Sequence, residues 1–569
     1  MLTRSVAAAF ILTLLAAPCF AQSNKALNLV PDDALGFFVI KDLRRLSDKV
    51  SATGERLGVP ERVSMLELLQ KEMGIKEGIN ENGSVLFIVL KGEDGSPRDL
   101  RYVMALPVAD HAKIAKQLAV KEHGEGISQG ELGHPSGLIA GVGGSGPEGE
   151  PKKFPVLVAK RGDFVLLGPP EQRPAIEAVL QSKKDITASL KGTEDWLGQQ
   201  DMAGFVTHAG VEFGLGLFLF GSGQTSPQQA GQLKDTYAEV KDNVRLITFG
   251  GRLEKDDWRL STAVHFQADG SYAKWIAQAE PLENKLLGNF ADEPYLSLLL
   301  ARISSQTTFE SATRHLFGSL PKEKAEALQG ELTKLIGQCK ELTIGVYPGK
   351  SSKQPEPGIV ANRSLEPVML AQVRDAEAFL GGAVDMIKHA HRSMHEAAKI
   401  KAEVTYQEKE IAGKPSWLIT IVPSKDPAGD DKEEATEPAR LPLDPNDRSP
   451  RTFLLTALDK QTVLASKFAD ADQAAAVIEK FSKPATRSIE GNSHLQHTMK
   501  LLPEKRQVAA FVDLKALGIM GAGVAQAPNA PPLGFLMRAL PAGIEAQFVV
   551  PLDTAKAAFD ASKAPRPQP

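Results

Sequence analysis

Cysteine is nearly absent from this chain, with two in 569 residues. That excludes a disulfide-stapled scaffold and any zinc or iron–sulfur site built from several thiolates. Neither charge is in excess: 66 Lys+Arg stand against 70 Asp+Glu, a net charge of −4, which leaves no polybasic footprint for nucleic acid. Beyond the N-terminus long apolar runs are missing. The densest, Phe213 to Phe220, is too short to cross a bilayer. Familiar catalytic spacings are missing as well. Gly143-Gly144-Ser145-Gly146-Pro147 has proline where a nucleophile elbow needs its final glycine, and it reads as a linker. Gly214-Leu215-Gly216 meets Leu219 where a dinucleotide-binding turn needs its third glycine, and it reads as an apolar helix.

What is present is ordinary globular composition. The chain is 42% hydrophobic, which excludes a wholly disordered polypeptide. Its length exceeds what one core supports, so two or more domains are expected. The first 21 residues read as a secretory signal. Arg4 supplies the positive start, Val6 to Ala17 the apolar core, and Cys19 and Ala21 the small residues at −3 and −1. Pro18 before Cys19 argues against a lipobox. The spacing predicts cleavage after Ala21 and an exported chain, periplasmic or extracellular. Cys339 follows Leu328, Leu332, Leu335 and Ile336 at helical spacing, and it reads as a buried small hydrophobe.

The chain resembles itself. Gly133-His134-Pro135-Ser136-Gly137-Leu138-Ile139 is echoed by Gly413-Lys414-Pro415-Ser416-Trp417-Leu418-Ile419. Upstream, Tyr102-Val103-Met104 with Asp110 matches Pro367-Val368-Met369 with Asp375. Val85, Phe87 and Val89 match Leu342, Ile344 and Val346. Downstream, Val156-Leu157-Val158 and Phe164-Val165-Leu166-Leu167 match Leu454-Leu455-Thr456 and Thr462-Val463-Leu464-Ala465. The order is kept throughout, which points to two duplicated halves. Each half divides again. Gly36-Phe37-Phe38-Val39-Ile40 returns as Ala510-Phe511-Val512, with weaker echoes at Gly204-Phe205-Val206 and Leu298-Leu299-Leu300.

Each quarter closes with a strand, an aspartate and a helical pattern. Asp110, Asp269, Asp375 and Asp553 read as N-caps, because a carboxylate accepts the free amides of a first helical turn. Strand–strand–helix order with tight turns such as Gly162-Asp163 predicts an α+β fold with mostly antiparallel sheet. The expected modules are 22–184, 185–286, 287–486 and 487–565, with a disordered tail at 566–569. Residues 141–151, 221–229 and 424–450 read as loops, the last an acidic insertion into module 3. No calcium-loop spacing occurs in it.

One cluster has metal-ligand character. His389, His391 and His395 fall in one expected helix, and His391 and His395, four apart, share a face. Arg392 stands where a hydrolytic zinc helix carries glutamate, so the cluster also reads as the polar end of a long helix. The carboxylate pairs Asp32-Asp33 and Asp256-Asp257 read as surface turns, since adjacent strand side chains point apart.

The opening Leu29-Val30-Pro31-Asp32-Asp33-Ala34-Leu35, running into a strand that ends Lys41-Asp42-Leu43, resembles the mature N-termini of large exported proteins of planctomycete-type bacteria. Those families have no assigned activity. The resemblance implies export and a repeated strand–helix build, and it transfers no catalytic or binding residue. The leading expectation is an exported protein, non-enzymatic, that binds partners or belongs to the cell envelope. The alternatives are a hydrolase with a site assembled from distant residues and a divalent-metal binder through His389, His391 and His395. No cofactor, no nucleic acid and no membrane span after cleavage are expected; an envelope or protein partner is.

Overall fold

The run Gly36–Ile40 holds two phenylalanines and two β-branched residues, a composition suited to a strand buried on both faces. It forms β1, with antiparallel partners on both edges: β2 (Val85–Lys91) and β7 (Met202–Thr207). Phe37 and Val39 face one core layer with Leu86, Ile88 and Phe205. Ile40 faces the other with Leu43, Leu46 and Val85. The computed structural model describes residues 24–59, 64–93, 99–121, 126–132, 154–221, 234, 237–303, 320, 322–348, 365–398, 402–423, 451–468, 473–514 and 530–563. The expected signal segment at residues 1–21, the Gly133–Ile139 motif and the expected insertion at 424–450 lie outside them.

Two units are formed, one from residues 1–276 and 540–562, the other from 277–539 with 563–569. The first unit adds β3 (Leu100–Pro107), β4 (Ile127–Leu132), β5 (Phe154–Arg161), β6 (Phe164–Gly168), β8 (Val244–Leu253) and β9 (Asp257–Phe266). Its antiparallel order is β4-β5-β6-β3-β2-β1-β7-β8-β9.

The second unit contains β10 (Ser297–Arg302), β11 (Cys339–Pro348), β12 (Leu365–Val373), β13 (Ala402–Ile411) and β14 (Lys414–Pro423). It continues with β15 (Arg451–Ala457), β16 (Thr462–Phe468), β17 (Val508–Val512) and β18 (Leu533–Leu540). Its order is β13-β14-β15-β16-β12-β11-β10-β17-β18, again antiparallel. The fold is therefore mixed α+β with antiparallel sheet, as the strand–strand–helix order predicts.

The chain leaves the first unit after Ile276. It returns with β19 (Gly543–Pro551), which the sequence assigns to the last module. The physical reason is a ladder: β19 pairs with β9 along its whole length, from Gly543 opposite His265 to Pro551 opposite Asp257.

Two of the four expected caps form as read. Asp110 accepts the amides of Ala112 at 2.9 Å and Lys113 at 3.2 Å, and Asp375 accepts that of Ala378 at 3.0 Å. At the Ser271–Ile276 helix the distant Asn243 accepts from Ser271 Oγ at 2.9 Å and from the Tyr272 amide at 3.4 Å. Asp553 lies within the first turn of the Leu552–Lys563 helix, where its charge suits the positive end of the dipole.

Phe205 sits at the centre of the first of these layers: it is 1% exposed, stacks on Phe37 at 4.7 Å and meets Trp196 edge-on. Phe205→Ala is expected to lower stability by about 3–5 kcal/mol, read as a shift in the urea midpoint.

Candidate functional site

Lys41 follows β1 directly, and alternation turns it inward. Its side chain is 6% exposed. The stem lies in the core, and the ammonium reaches the end of the Glu194–Gln199 helix, where carbonyls lack partners within the helix. It donates to the carbonyls of Leu197 at 2.8 Å, Gly198 at 3.4 Å and Gln200 at 2.6 Å. A buried cation is tolerated only with such compensation. Next to it, Asp42 adopts left-handed backbone (φ 33°), which aspartate tolerates better than most residues, and caps the Leu43–Leu57 helix through the Arg45 amide at 3.0 Å. Asp201 pairs with Lys49 and accepts the Leu253 amide at 3.0 Å.

These residues line a cavity of about 120 Å³ together with Arg45, Leu46 and Gln200. All three hydrogen bonds from the Lys41 ammonium go to backbone carbonyls, so it ties the end of β1 to the end of the short helix. The groups that gather here bind backbone to backbone.

A second buried polar layer lies on β8, β9 and β19. Glu545 has no exposed surface and accepts Trp196 Nε1 at 3.0 Å and Gln547 Nε2 at 2.9 Å. His265 lies two positions along on the same face, opposite Gly543, while Glu545 is opposite Ala263. His265 Nε2 is 3.1 Å from Thr248 Oγ1. Burial pushes the imidazole down to about 4, so it is neutral at pH 7. Hydroxyl, imidazole and carboxylate on one sheet suggest hydrolytic chemistry. However, Thr248 is wholly buried and His265 is 6% exposed, so no substrate reaches the pair. The sequence reading does not identify these residues, because His265 and Glu545 belong to strands far apart in the chain and neither sits in a motif.

In the second unit, Arg302 ends β10 opposite Glu341. Arg302 pairs with Glu280 and, at 3.2 Å, with Glu283. Glu341 is wholly buried, and its Oε2 accepts the Glu283 amide at 3.2 Å. Its Oε1, like the hydroxyls of Thr343 and Tyr347 along the same strand face, has no hydrogen-bond partner among the described residues. Burial holds the Glu341 carboxyl above the ordinary carboxylate range, against the pull of nearby amides and Arg302.

The histidine cluster divides. His389 Nδ1 meets Glu331 Oε1 at 2.9 Å, tying the Ala376–Ala398 helix to the Lys322–Ile336 helix. His391, two residues on, projects from a different side of the helix, and the His395 side chain lies outside the described residues. Among the described residues no group of three or more His, Cys, Asp or Glu is placed to hold a metal ion. Cys339 is buried, and burial pushes its thiol up to about 12, well away from thiolate reactivity.

No family model matches this chain, and no curated protein matches it. Among solved structures it bears some likeness to crystal form IV of TP0453, at 8% identity, covering 50% of this chain and 98% of that one with a TM-score of 0.22. A likeness at that score carries no argument about fold or function.

Two outcomes are expected. Lys41→Met, which strands three carbonyls, lowers stability by about 2–4 kcal/mol in urea titration. For His265, the unfolded chain takes up a proton near 6.5 and the folded chain near 4, so stability is lost as pH falls between those values. His265→Gln is expected to flatten that fall by roughly 2–3 kcal/mol, read from urea midpoints at pH 7 and pH 4.

Proposed function

We propose that this is an exported, non-enzymatic protein that works through its surface, as a binding or envelope-associated structural protein, on an internally duplicated scaffold. The observation that carries the reading is the fate of the charged groups at the Lys41 cavity. Lys41, Asp42 and Asp201 each hold backbone in place, and none is left poised over a cleft as a general acid, base or nucleophile.

Duplication is supported by register. Val85 and Phe87 lie opposite Ile40 and Phe38, and Leu342 and Ile344 lie opposite Ala301 and Leu299. Phe205 is opposite Phe37, as Phe511 is opposite Leu298. Met104 is opposite Leu167, as Met369 is opposite Ala465. Echoed residues thus occupy equivalent places in two ladders of the same order. One echo slips: Val158 faces Leu167, but Leu455, not Thr456, faces Ala465, because the turn between β15 and β16 is longer. β4 also holds beside β5 the place that β14 holds beside β15. On this reading the halves have diverged inside. Leu86 and Ile88 stand where the second unit has Thr343 and Gly345, and among the described residues the orphaned hydroxyl and carboxylate oxygens belong to the second unit.

Export is supported by the n-region, apolar core and small-residue cleavage pattern of residues 1–21, and the resemblance of the opening segment to exported planctomycete-type proteins accords with it. The test is expression in a bacterial host with fractionation and mass spectrometry of the N-terminus. A chain beginning at Gln22 in the exported fraction is expected. An intact chain held in the cytoplasm refutes the reading.

A further inference from the structure

β13 is the outermost strand on one side of the second unit's ladder. It runs ten residues without glycine, proline or bulge, from Ala402 opposite Pro423 to Ile411 opposite Lys414. Proteins usually shorten, kink or cover so long an edge. The first unit covers its own: Lys121 and Gln129 exchange backbone hydrogen bonds at 2.8 and 3.1 Å beside β4, and the Leu118 carbonyl accepts the Glu131 amide at 2.7 Å. Along β13 the outer amides and carbonyls meet no backbone partner among the described residues. Glu403, Gln407, Glu408, Lys409 and Glu410 are exposed, and Val404, Thr405 and Tyr406 are half-buried. Lys388 of the Ala376–Ala398 helix lies 4.9 Å from the centre of the Trp417 ring and 5.6 Å from that of Tyr406, which pins the hairpin and holds its edge in place.

The turn fixes which backbone groups face outward. Ala412 and Gly413 both take positive φ, 49° and 72°, as a two-residue hairpin requires, so the flanking pair Ile411 and Lys414 is hydrogen-bonded. Counting back by twos, Lys409, Gln407, Thr405 and Glu403 turn their backbone groups toward β14. The amides and carbonyls of Glu410, Glu408, Tyr406, Val404 and Ala402 therefore point away from it. The Pro415 carbonyl agrees with this phase: it lies opposite Glu410 and turns the other way, accepting Thr456 Oγ1 of β15 at 3.0 Å.

This edge is complementary to itself. About a two-fold axis at Tyr406, an antiparallel second β13 sets outward-facing residues against outward-facing residues. Tyr406 meets Tyr406, Val404 meets Glu408 and Ala402 meets Glu410, which provides about ten backbone hydrogen bonds. In the same register Glu403 of each copy faces Lys409 of the other, and Thr405 faces Gln407. Two pairs of opposite charge form, and no like charges stand directly opposite. The adjacent registers of the same phase, with the axis at Thr405 or Gln407, give neither Glu403 nor Lys409 an opposite charge.

We propose that β13 is the interface between two copies of this chain, paired edge to edge about Tyr406 so that two second-unit ladders become one. A strand of another protein would satisfy the backbone equally, and the paired charges are what select a second copy. The inference goes beyond the surface reading by naming a surface and its partner, and it stands whether or not the chain is exported.

The test is sedimentation equilibrium of the full chain and its variants, with a reversible dimer expected. Lys409→Glu, which sets glutamate opposite Glu403 at both ends, is expected to raise the dimer dissociation constant roughly tenfold. Glu403→Lys/Lys409→Glu, which exchanges the two charges, is expected to restore it. Glu408→Pro removes an outward amide without touching the bonds to β14, and it is expected to abolish the dimer. On oxidation, Thr405→Cys chains mixed with Gln407→Cys chains are expected to link to each other. A chain that is monomeric at every concentration overturns the proposal. So does a dimer that Lys409→Glu and Glu408→Pro leave intact, or one that the double exchange fails to restore.

Discussion

Hydrogen bonding along both edges of β1 organises the first unit. Five residues bring amides and carbonyls that need partners, and the partners lie on β2 and β7, one of them more than 160 residues away. Once both edges are fixed, both faces must be covered, and the alternation of β1 decides by what. Phe37 and Val39 commit one face to Phe205 and Leu86, and Ile40 commits the other to the Leu43–Leu57 helix. β10 has the same position in the second unit, between β11 and β17. Residues at the ends of these central strands inherit the burial: Lys41 just after β1 in one unit, Arg302 at the end of β10 in the other.

This inheritance explains why charged groups in the interior do architectural work. A cation carried into a core by strand alternation must be met there by oxygen. Lys41 meets the carbonyls at the end of a short helix, while Arg302 meets Glu280 and Glu283. The fork of arginine suits carboxylates, and the compact ammonium of lysine suits converging carbonyls. Two chemically different solutions thus bring a cation into the interior at the end of a central strand.

The sequence reveals what depends on near neighbours. Asp110 and Asp375 are legible as caps because a carboxylate just before a helix needs only local geometry. The turn at Gly162-Asp163 is legible because Gly162 takes the positive φ that a two-residue hairpin needs. Cys339 is buried as read, but as the first residue of β11 and not on the helix whose spacing suggested it, since that helix ends at Ile336. What depends on distant strands is not legible. Asn243 caps a helix nearly thirty residues downstream, and nothing beside it announces that role. The burial of Lys41 depends on the Glu194–Gln199 helix, whose last carbonyls receive its ammonium, and nothing beside it in the sequence announces that. Nor does the sequence announce that Glu331 on the neighbouring helix meets the His389 ring nitrogen.

The pairing of β9 with β19 also sets a schedule. Synthesis runs from the N-terminus, and roughly 280 residues separate Phe266 from Gly543, so at 5–20 residues per second the edge of β9 waits about 15–55 seconds for its partner. Throughout that interval a ten-residue strand presents unpaired amides and carbonyls, the template on which chains aggregate. The first unit to be made is therefore among the last to be finished.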